Sequence, residues 1–269
     1  MVMPDKPNVL FHYTTMEGLK GIIKTESLWT TKIHYLNDAS ELTKSLAMAG
    51  KILNSLKTGN DKKDKTKIEA INQMIQDVKN WEQTNICVAS LCTNGDLLSQ
   101  WRGYGTFGSA YSIGFNTKQL EDKISDSKFE IGRCAYYSDK EYFNVIYKYI
   151  EDTISQSAKV SEFIGTLIRK AALMKMDCFR EEDEWRVVSW EPKLFDDEDF
   201  EFRVGRSMII PYFAIPIDVS SIVEVKIGPC HHPELVEDAI AGMFFKYNKS
   251  DVPIKLPLIT RSKIPYRVF

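Results

Sequence analysis

Four short stretches of this 269-residue sequence combine residue types that could do chemistry. The most telling is Phe179-Arg-Glu-Glu-Asp-Glu-Trp-Arg-Val-Val188, in which Glu182 and Glu184 stand two apart. On a strand, residues two apart project from the same face. Two carboxylates on one face repel each other, so burying them requires a positive charge or a substrate to offset the repulsion. A solvated charge run at a helix-to-strand junction is the ordinary account of such a segment. Against it, Glu184 leads directly into the apolar run Trp185–Val188, which aims its side chain at something other than water.

Phe11-His12-Tyr13-Thr14-Thr15 is the second stretch. A His at the end of a strand, followed by hydroxyl residues, can offer an imidazole N–H and an O–H to a ribose diol. The competing account is a core His satisfied by a neighbouring carbonyl. The third is Ser99-Gln-Trp101-Arg102-Gly-Tyr104-Gly105, followed by Tyr111-Ser-Ile-Gly-Phe115. Aromatics beside glycines let a flat ring approach the backbone and stack, and Arg102 suits bidentate phosphate contact. Equally, Trp101 and Tyr104 could be bulky core residues and Arg102 a surface ion pair. In the fourth, Asn37-Asp38-Ala-Ser-Glu41, helix capping accounts for Asp38 and Glu41 and leaves Asn37 to face a pocket.

The elements that must position these residues can be read from periodicity. Asn8–Tyr13 reads as a strand and Met16–Lys24 as a helix with Leu19, Ile22 and Ile23 on one face. Leu28–Thr31 is a second strand, and the Asp38 cap opens a helix to about Leu56. Residues 57–66, rich in Lys, read as a solvated loop before a second helix over Lys67–Asn80. Strands are expected at Asn85–Leu91, Ala110–Phe115 and Phe129–Tyr137, with a short helix or turn at Asp96–Arg102. Helices at Lys140–Ser155 and Val160–Met176 precede strands at Glu184–Ser189, Glu201–Val204, Met208–Ala214 and Ile222–Ile227. A helix at His232–Tyr247 and edge strands within Pro253–Phe269 complete the pattern. Paired helices between strands, without strict βαβ alternation, favour an α+β fold over a doubly wound parallel sheet.

A 43% hydrophobic content supports a sizeable core, and 35 basic against 37 acidic residues give no global pull onto nucleic acid. The first fifteen residues contain no apolar run of signal-peptide length, and nowhere do 18 consecutive apolar residues occur. Five scattered cysteines read as reduced thiols, so a cytoplasmic location without membrane partners is expected. Cys230-His231-His232 lacks the spacing of a metal site, and nucleotide-loop, nucleophile-elbow and zinc-protease motifs are absent.

The phrases HYTTMEGLKGI, LNDASE, SQWRGYG with YSIGF, FREEDEWR and VKIGP occur in this order between about residues 11 and 230. Together they resemble the bacterial family called domain of unknown function 2971. The order of His on a first strand, Tyr after a middle strand and Glu on a late strand further resembles the H-Y-E signature of ADP-ribosyltransferases. That resemblance implies an α+β, ADP-ribosyltransferase-like split β core with added helices, forming one catalytic domain over 1–269 with 38–80 as a candidate helical insertion. It implies NAD as substrate and no metal. His12 and Thr14, with Tyr13 between them, would hold ribose, and Tyr104 or Tyr111 would sandwich nicotinamide beside Trp101 and Arg102. Glu184 would act on the nicotinamide ribose, and Glu182 would orient the acceptor, as in an E-x-E pair. Bacterial relatives of this kind commonly act as toxins or anti-phage effectors, so the expected acceptor is nucleic acid, RNA ahead of DNA, or protein, with an antitoxin protein as a further partner. A non-catalytic nucleotide- or partner-binding sensor and a metal-dependent nuclease using Glu182 and Glu184 are the competing functions.

Overall fold

The computed structural model describes residues 6–36, 40–56, 62–80, 85–104, 110–155, 160–191, 193–205, 207–247 and 255–265. The readings on Asn37, Asp38 and Gly105 fall outside these residues, as does the Glu41 side chain.

β1 (Val9–Thr15) runs straight into α1 (Met16–Thr25), whose N-cap is Thr15, its hydroxyl accepting from Gly18 N–H. The face of α1 carrying Leu19, Ile22 and Ile23 is buried, each side chain contributing about 2 kcal/mol of apolar transfer. β2 (Ser27–Lys32) follows, and then the mutually packed helices α2 (Ser40–Leu56) and α3 (Lys62–Asn80). The expected loop at 57–66 is therefore shorter. Helix begins at Lys62, because Ile68, Ile71 and Ile75 anchor α3 in the core and Lys is a good helix former that extends it.

β3 (Cys87–Cys92), α4 (Leu98–Tyr104) and β4 (Ala110–Asn116) come next. Thr117–Asp126, where periodicity marks no element, forms α5, capped by the Asn116 side chain on Gln119 N–H and anchored by Leu120 and Ile124. Phe129–Tyr137 is not one strand. It divides into β5 (Phe129–Arg133), paired with the main sheet, and β6 (Ala135–Tyr137), paired elsewhere. After α6 (Asp139–Ser155), α7 (Val160–Ala172) stops before its expected end, and β7 (Met174–Met176) pairs in parallel with β6. A 3₁₀ turn over Asp177–Glu182 leads to β8 (Glu184–Ser189). β9 (Phe200–Val204), β10 (Ile209–Pro216), β11 (Ile222–Ile227), α8 (Pro233–Tyr247) and β12 (Leu258–Arg261) complete the described chain.

Among the described residues ten strands form one sheet, almost wholly antiparallel, which with the helices makes the α+β class expected. One face packs against α1, α5 and α8. The other packs against α2, α3, α6 and α7, with Val88 and Val188 supplied by the sheet. Side chains on β8 alternate between the two: Trp185 and Val187 enter the first core, Val188 the second.

The sheet splits at β3. Along one edge of β3 runs β8, in register from Val88↔Val188 to Cys92↔Glu184. The other edge is shared by two strands end to end: β2 pairs at Cys87 and Val88, while β1 pairs only at Cys92. From there β1 continues with β4, β11 and β12, and β2 with β10 and β9. Between the two arms no strand of the described residues stands opposite the Ser90 carbonyl. The His12 imidazole takes that place, its Nδ1 2.9 Å from Ser90 O. A carbonyl only accepts, so Nδ1 carries the hydrogen.

Candidate active site

Two adjoining cavities lie at this split. The first, about 190 Å³, is lined by His12, Tyr13 and Thr14 of β1, Gly18 of α1, Trp29 and Thr31 of β2, and Arg203 of β9. The second, about 160 Å³, is lined by Ser99 and Gln100 of α4, Cys92 of β3, and Lys175, Glu182, Glu184 and Arg186. Leu36, Ser90 and Tyr104 line both.

Glu184 is the centre of the second cavity. Its side chain is 4% exposed and meets two buried cations, Lys175 and Arg186, at 1% and 2%. Lys175 Nζ lies 2.7 Å from Oε2, Arg186 Nε 2.9 Å from Oε1, and Arg186 Nη2 3.2 Å from Oε2. Burial alone would push the Glu184 carboxyl up, but Arg186 and then Lys175 outweigh it and hold it below the usual carboxylate range. The group is therefore an anion in a dry setting. Three of its roughly four acceptor positions are filled, which leaves Oε1 capacity for one more donor. Its backbone is fixed as well: Glu184 N–H donates to Tyr136 Oη at 2.7 Å, and its carbonyl accepts from Cys134 N–H at 2.9 Å.

Glu182 reaches the same place by another route. The expectation that both carboxylates share one strand face is corrected by the structure. Glu182 belongs to the 3₁₀ turn, and Asp183 at φ 38° reverses the chain before β8 begins. Asp tolerates this left-handed conformation, and its carboxylate is tied to Arg133 and Thr93, each at 2.7 Å. Glu182 and Glu184 nevertheless converge, because both bind Lys175 Nζ. The positive charge that such a pair requires is thus protein-borne. Among the described residues, no group of three or more His, Cys, Asp or Glu side chains is placed to hold a metal ion. Cys92 shares this cavity, but burial pushes its thiol up to about 12, which keeps it protonated and weakly nucleophilic.

In the first cavity His12 is kept neutral, chiefly by burial, with the charge of Arg203 adding to the effect. Both accounts of this residue hold at once: one ring nitrogen satisfies a carbonyl, and the ring lines the cavity. Thr14 stands against Gly18 so closely that a side chain at 18 would collide with its hydroxyl. Tyr13 borders the cavity, but its hydroxyl is committed, donating to Asn94 O and accepting from Leu97 N–H, both at 2.8 Å. Tyr104 stacks on Tyr13 with ring centroids 6.4 Å apart and walls both cavities.

Three expected ligand-binding residues lie elsewhere. Trp101 is buried, edge-on to Tyr13 at 4.8 Å, with its indole N–H on Asp96 at 2.7 Å. It is a core residue, and neither cavity is lined by it. Tyr111 is buried in the core shared with α1 and α8, and Arg102 is exposed outside both cavities. Tyr104, of the two candidate tyrosines, is the one at the cleft. Residues not singled out from the sequence also belong to it: Lys175, Arg186, Ser90, Trp29 and Arg203. Of these Arg186 was legible, since it stands two after Glu184 on a strand. Lys175 was hidden because Leu-Met-Lys-Met reads as the end of a helix.

A family model described as "Protein of unknown function (DUF2971)" matches residues 100–187, the stretch from α4 to β8 that carries Tyr104, Lys175, Glu182, Glu184 and Arg186. No curated protein matches the sequence. Among solved structures, the chain is similar to DarT of Thermus sp. 2.9 in complex with NAD+ at 9% identity, covering 97% of this chain and 98% of that one, with a TM-score of 0.37. It is also similar to the same protein in complex with ADP-ribosylated single-stranded DNA at 11% identity, covering 96% of each chain, again with a TM-score of 0.37. None of the helices among the described residues is long and apolar enough to cross a membrane.

Proposed function

We propose that the protein is an NAD-dependent ADP-ribosyltransferase, with NAD lying across the split of the sheet. The observation that carries this reading is the placement of Glu184: an anionic carboxylate, buried at the wall of a cavity that adjoins a second one bearing His12 and Thr14. In the reaction the bond from nicotinamide nitrogen to ribose C1′ breaks, and nicotinamide leaves neutral with the bonding pair. The ribose passes through an oxocarbenium-like state whose positive charge a fixed carboxylate stabilises directly. Glu184 Oε1 accepts from Arg186 Nε–H and retains acceptor capacity for a ribose hydroxyl. An acceptor atom then bonds C1′ and loses its proton, a role this reading gives to Glu182, half-buried beside the same lysine. The pyridinium is already an activated leaving group, so the chemistry requires neither metal nor covalent nucleophile.

Nucleic acid is the acceptor we favour, RNA ahead of DNA, in the setting of a toxin or anti-phage effector. The support is the Lys-rich segment that now opens α3, where Lys65 is exposed. Incubating the protein with labelled NAD and cell extract tests both points. Label transferred to nucleic acid is expected, and label found only on protein would redirect the acceptor.

A further inference from the structure

β9 is a terminal strand of the sheet, and among the described residues β10 is the one strand that pairs with it. The two are joined at Asp199, whose carbonyl accepts from Ala214 N–H, and at Gly205, whose N–H donates to Met208 O. Opposed residues of an antiparallel pair alternate between bonded and non-bonded, so Glu201 and Arg203 turn their backbone groups toward β10. Those of Phe202 and Val204 point to the open edge, as does the Phe200 carbonyl, while the Phe200 N–H donates to Asp197 O. Pro211, which has no N–H to give, stands opposite Phe202 and fits this phase. The side chains of Phe202 and Val204 are 57% and 80% exposed. They continue into Ile209 on β10 and into Phe195, which stacks on Phe202 with ring centroids 6.4 Å apart. An open strand edge and a contiguous apolar strip thus coincide, and each invites association.

The sequence of this edge is complementary to itself. Phe200-Glu-Phe-Arg-Val204 has an apolar residue at its centre, opposite charges on either side of it, and apolar residues at both ends. Laid antiparallel on a second copy with Phe202 at the two-fold axis, every residue meets a suitable one, and each contact occurs twice, as a closed two-fold interface requires. Phe202 exchanges backbone hydrogen bonds with Phe202 of the partner subunit, and Val204 N–H meets the carbonyl of Phe200 of the partner subunit. On one face the apolar strip continues across the axis. On the other, Glu201 comes opposite the partner's Arg203, with Cβ atoms about 5 Å apart. The charges also fix the register. A slip of two residues one way sets Glu201 against the partner's Glu201, and the other way Arg203 against the partner's Arg203, both repulsive.

We infer that β9 is a homodimer edge, on which two copies of this chain pair antiparallel about Phe202 and join their sheets. The occupant is a second copy because the charge order Glu201–Arg203 is met by its own reverse. The dimer also reaches the first cavity. Arg203 lines that cavity, with Thr31 Oγ1 at 3.3 Å and Glu17 of α1 as its charged neighbour within the chain. Pairing brings the partner's Glu201 to the same side chain, so the second copy supplies a carboxylate beside the cavity wall. The pairing holds whatever chemistry the cleft performs.

Sedimentation equilibrium on the full chain tests this. Across a series rising to about 100 μM, the wild-type mass should climb from the 30.9 kDa of one chain toward twice that value. Phe202→Lys and Glu201→Lys change exposed side chains, so both proteins should stay folded while association weakens by at least ~10-fold. Arg203→Glu should weaken it likewise. At positions 201 and 203 the Glu201→Lys chain carries only positive charge and the Arg203→Glu chain only negative. Each alone should remain monomeric, and an equimolar mixture of the two should associate as the wild type does. That restoration cannot arise from lost folding. A wild type that stays monomeric throughout would overturn the pairing and leave the edge to a strand of another protein. A dimer that Phe202→Lys leaves intact would overturn it too, as would folded charge variants that fail to associate when mixed. Should melting show that Arg203→Glu does not fold, Phe202→Lys decides alone.

Discussion

Lys175 Nζ and Glu184 Oε2 lie 2.7 Å apart, on strands of two different sheets, with both side chains almost wholly removed from water. The lysine also binds Glu182, so one ammonium neutralises part of two carboxylates, and Arg186 completes the balance. Such a cluster is worth little as net stability but costs much when one member is removed. Lys175→Met should therefore destabilise the fold by about 3 kcal/mol and raise the Glu184 carboxyl toward and beyond its usual range. Urea unfolding measures the first effect. Its pH dependence reports the second, because the depressed carboxyl of the wild type contributes stability present above pH 4.5 and lost as pH falls further. In Lys175→Met that contribution should be missing.

His12 gives a pH signature of opposite chemistry. Burial holds the imidazole below 6.5, so the unfolded chain binds its proton more readily than the folded one. Stability from this group is complete above pH 6.5 and declines as pH falls through the folded value. Comparing denaturation midpoints at about pH 7.5 and about pH 5.5, the loss should be smaller in His12→Gln than in wild type. A Gln side-chain amide can still donate to Ser90 O. Equal losses in the two proteins would mean that His12 is not held neutral.

Trp101 should behave as structure and leave ligand binding untouched. Its indole N–H ends on Asp96, which also accepts from Ser262 and from Lys263 N–H, so one carboxylate joins α4 to the chain after β12. Trp101→Phe removes a hydrogen bond to a charged acceptor and should cost about 2 kcal/mol in stability. The affinity for NAD, measured by the same titration as for wild type, should not move.

The lysines at the start of α3 make a separate prediction about the acceptor. Lys67 is committed in part, donating to the Ile154 carbonyl at 2.8 Å. If the segment guides nucleic acid, changing Lys62, Lys63 and Lys65 to Gln should weaken RNA binding. The salt dependence should also flatten, its log–log slope falling by roughly 0.7 to 0.9 for each phosphate that is no longer neutralised. Unaltered salt slopes would remove α3 from the acceptor path.

Much of this architecture was readable because it follows from local period. Leu19, Ile22 and Ile23 mark α1, and the alternation from Glu184 to Val188 marks β8 and already sets Arg186 beside Glu184. What local period could not show is tertiary. α5 carries only Leu120 and Ile124 toward the core, too weak a pattern to stand out from a polar loop. Met174–Met176 continues a helical pattern, yet becomes strand because β6 lies ready to pair with it, and that change is what delivers Lys175 to Glu184. Trp101 and Tyr104 sit three apart on one short helix, yet one is core and the other cavity wall, a difference set by where β1 and β4 lie. Arg203 lies on a strand that reads as amphipathic surface, and only the splitting of the sheet turns its inner face into a cavity wall.

Stabilisation of the ribose cation by Glu184 is the core of the mechanism, and NAD cleavage by Glu184→Gln tests it most directly. The substitution leaves Lys175 and Arg186 short of one negative charge, so its melting temperature should be measured first and the assay run well below it. Glu182→Gln, at the half-buried partner on the same lysine, is the control. With nicotinamide release and ADP-ribose transfer measured separately, Glu184→Gln should bind NAD nearly as wild type and release nicotinamide at least ~10²-fold more slowly. Glu182→Gln should lose transfer more than release. A folded Glu184→Gln protein that releases nicotinamide at the wild-type rate would contradict this role for Glu184.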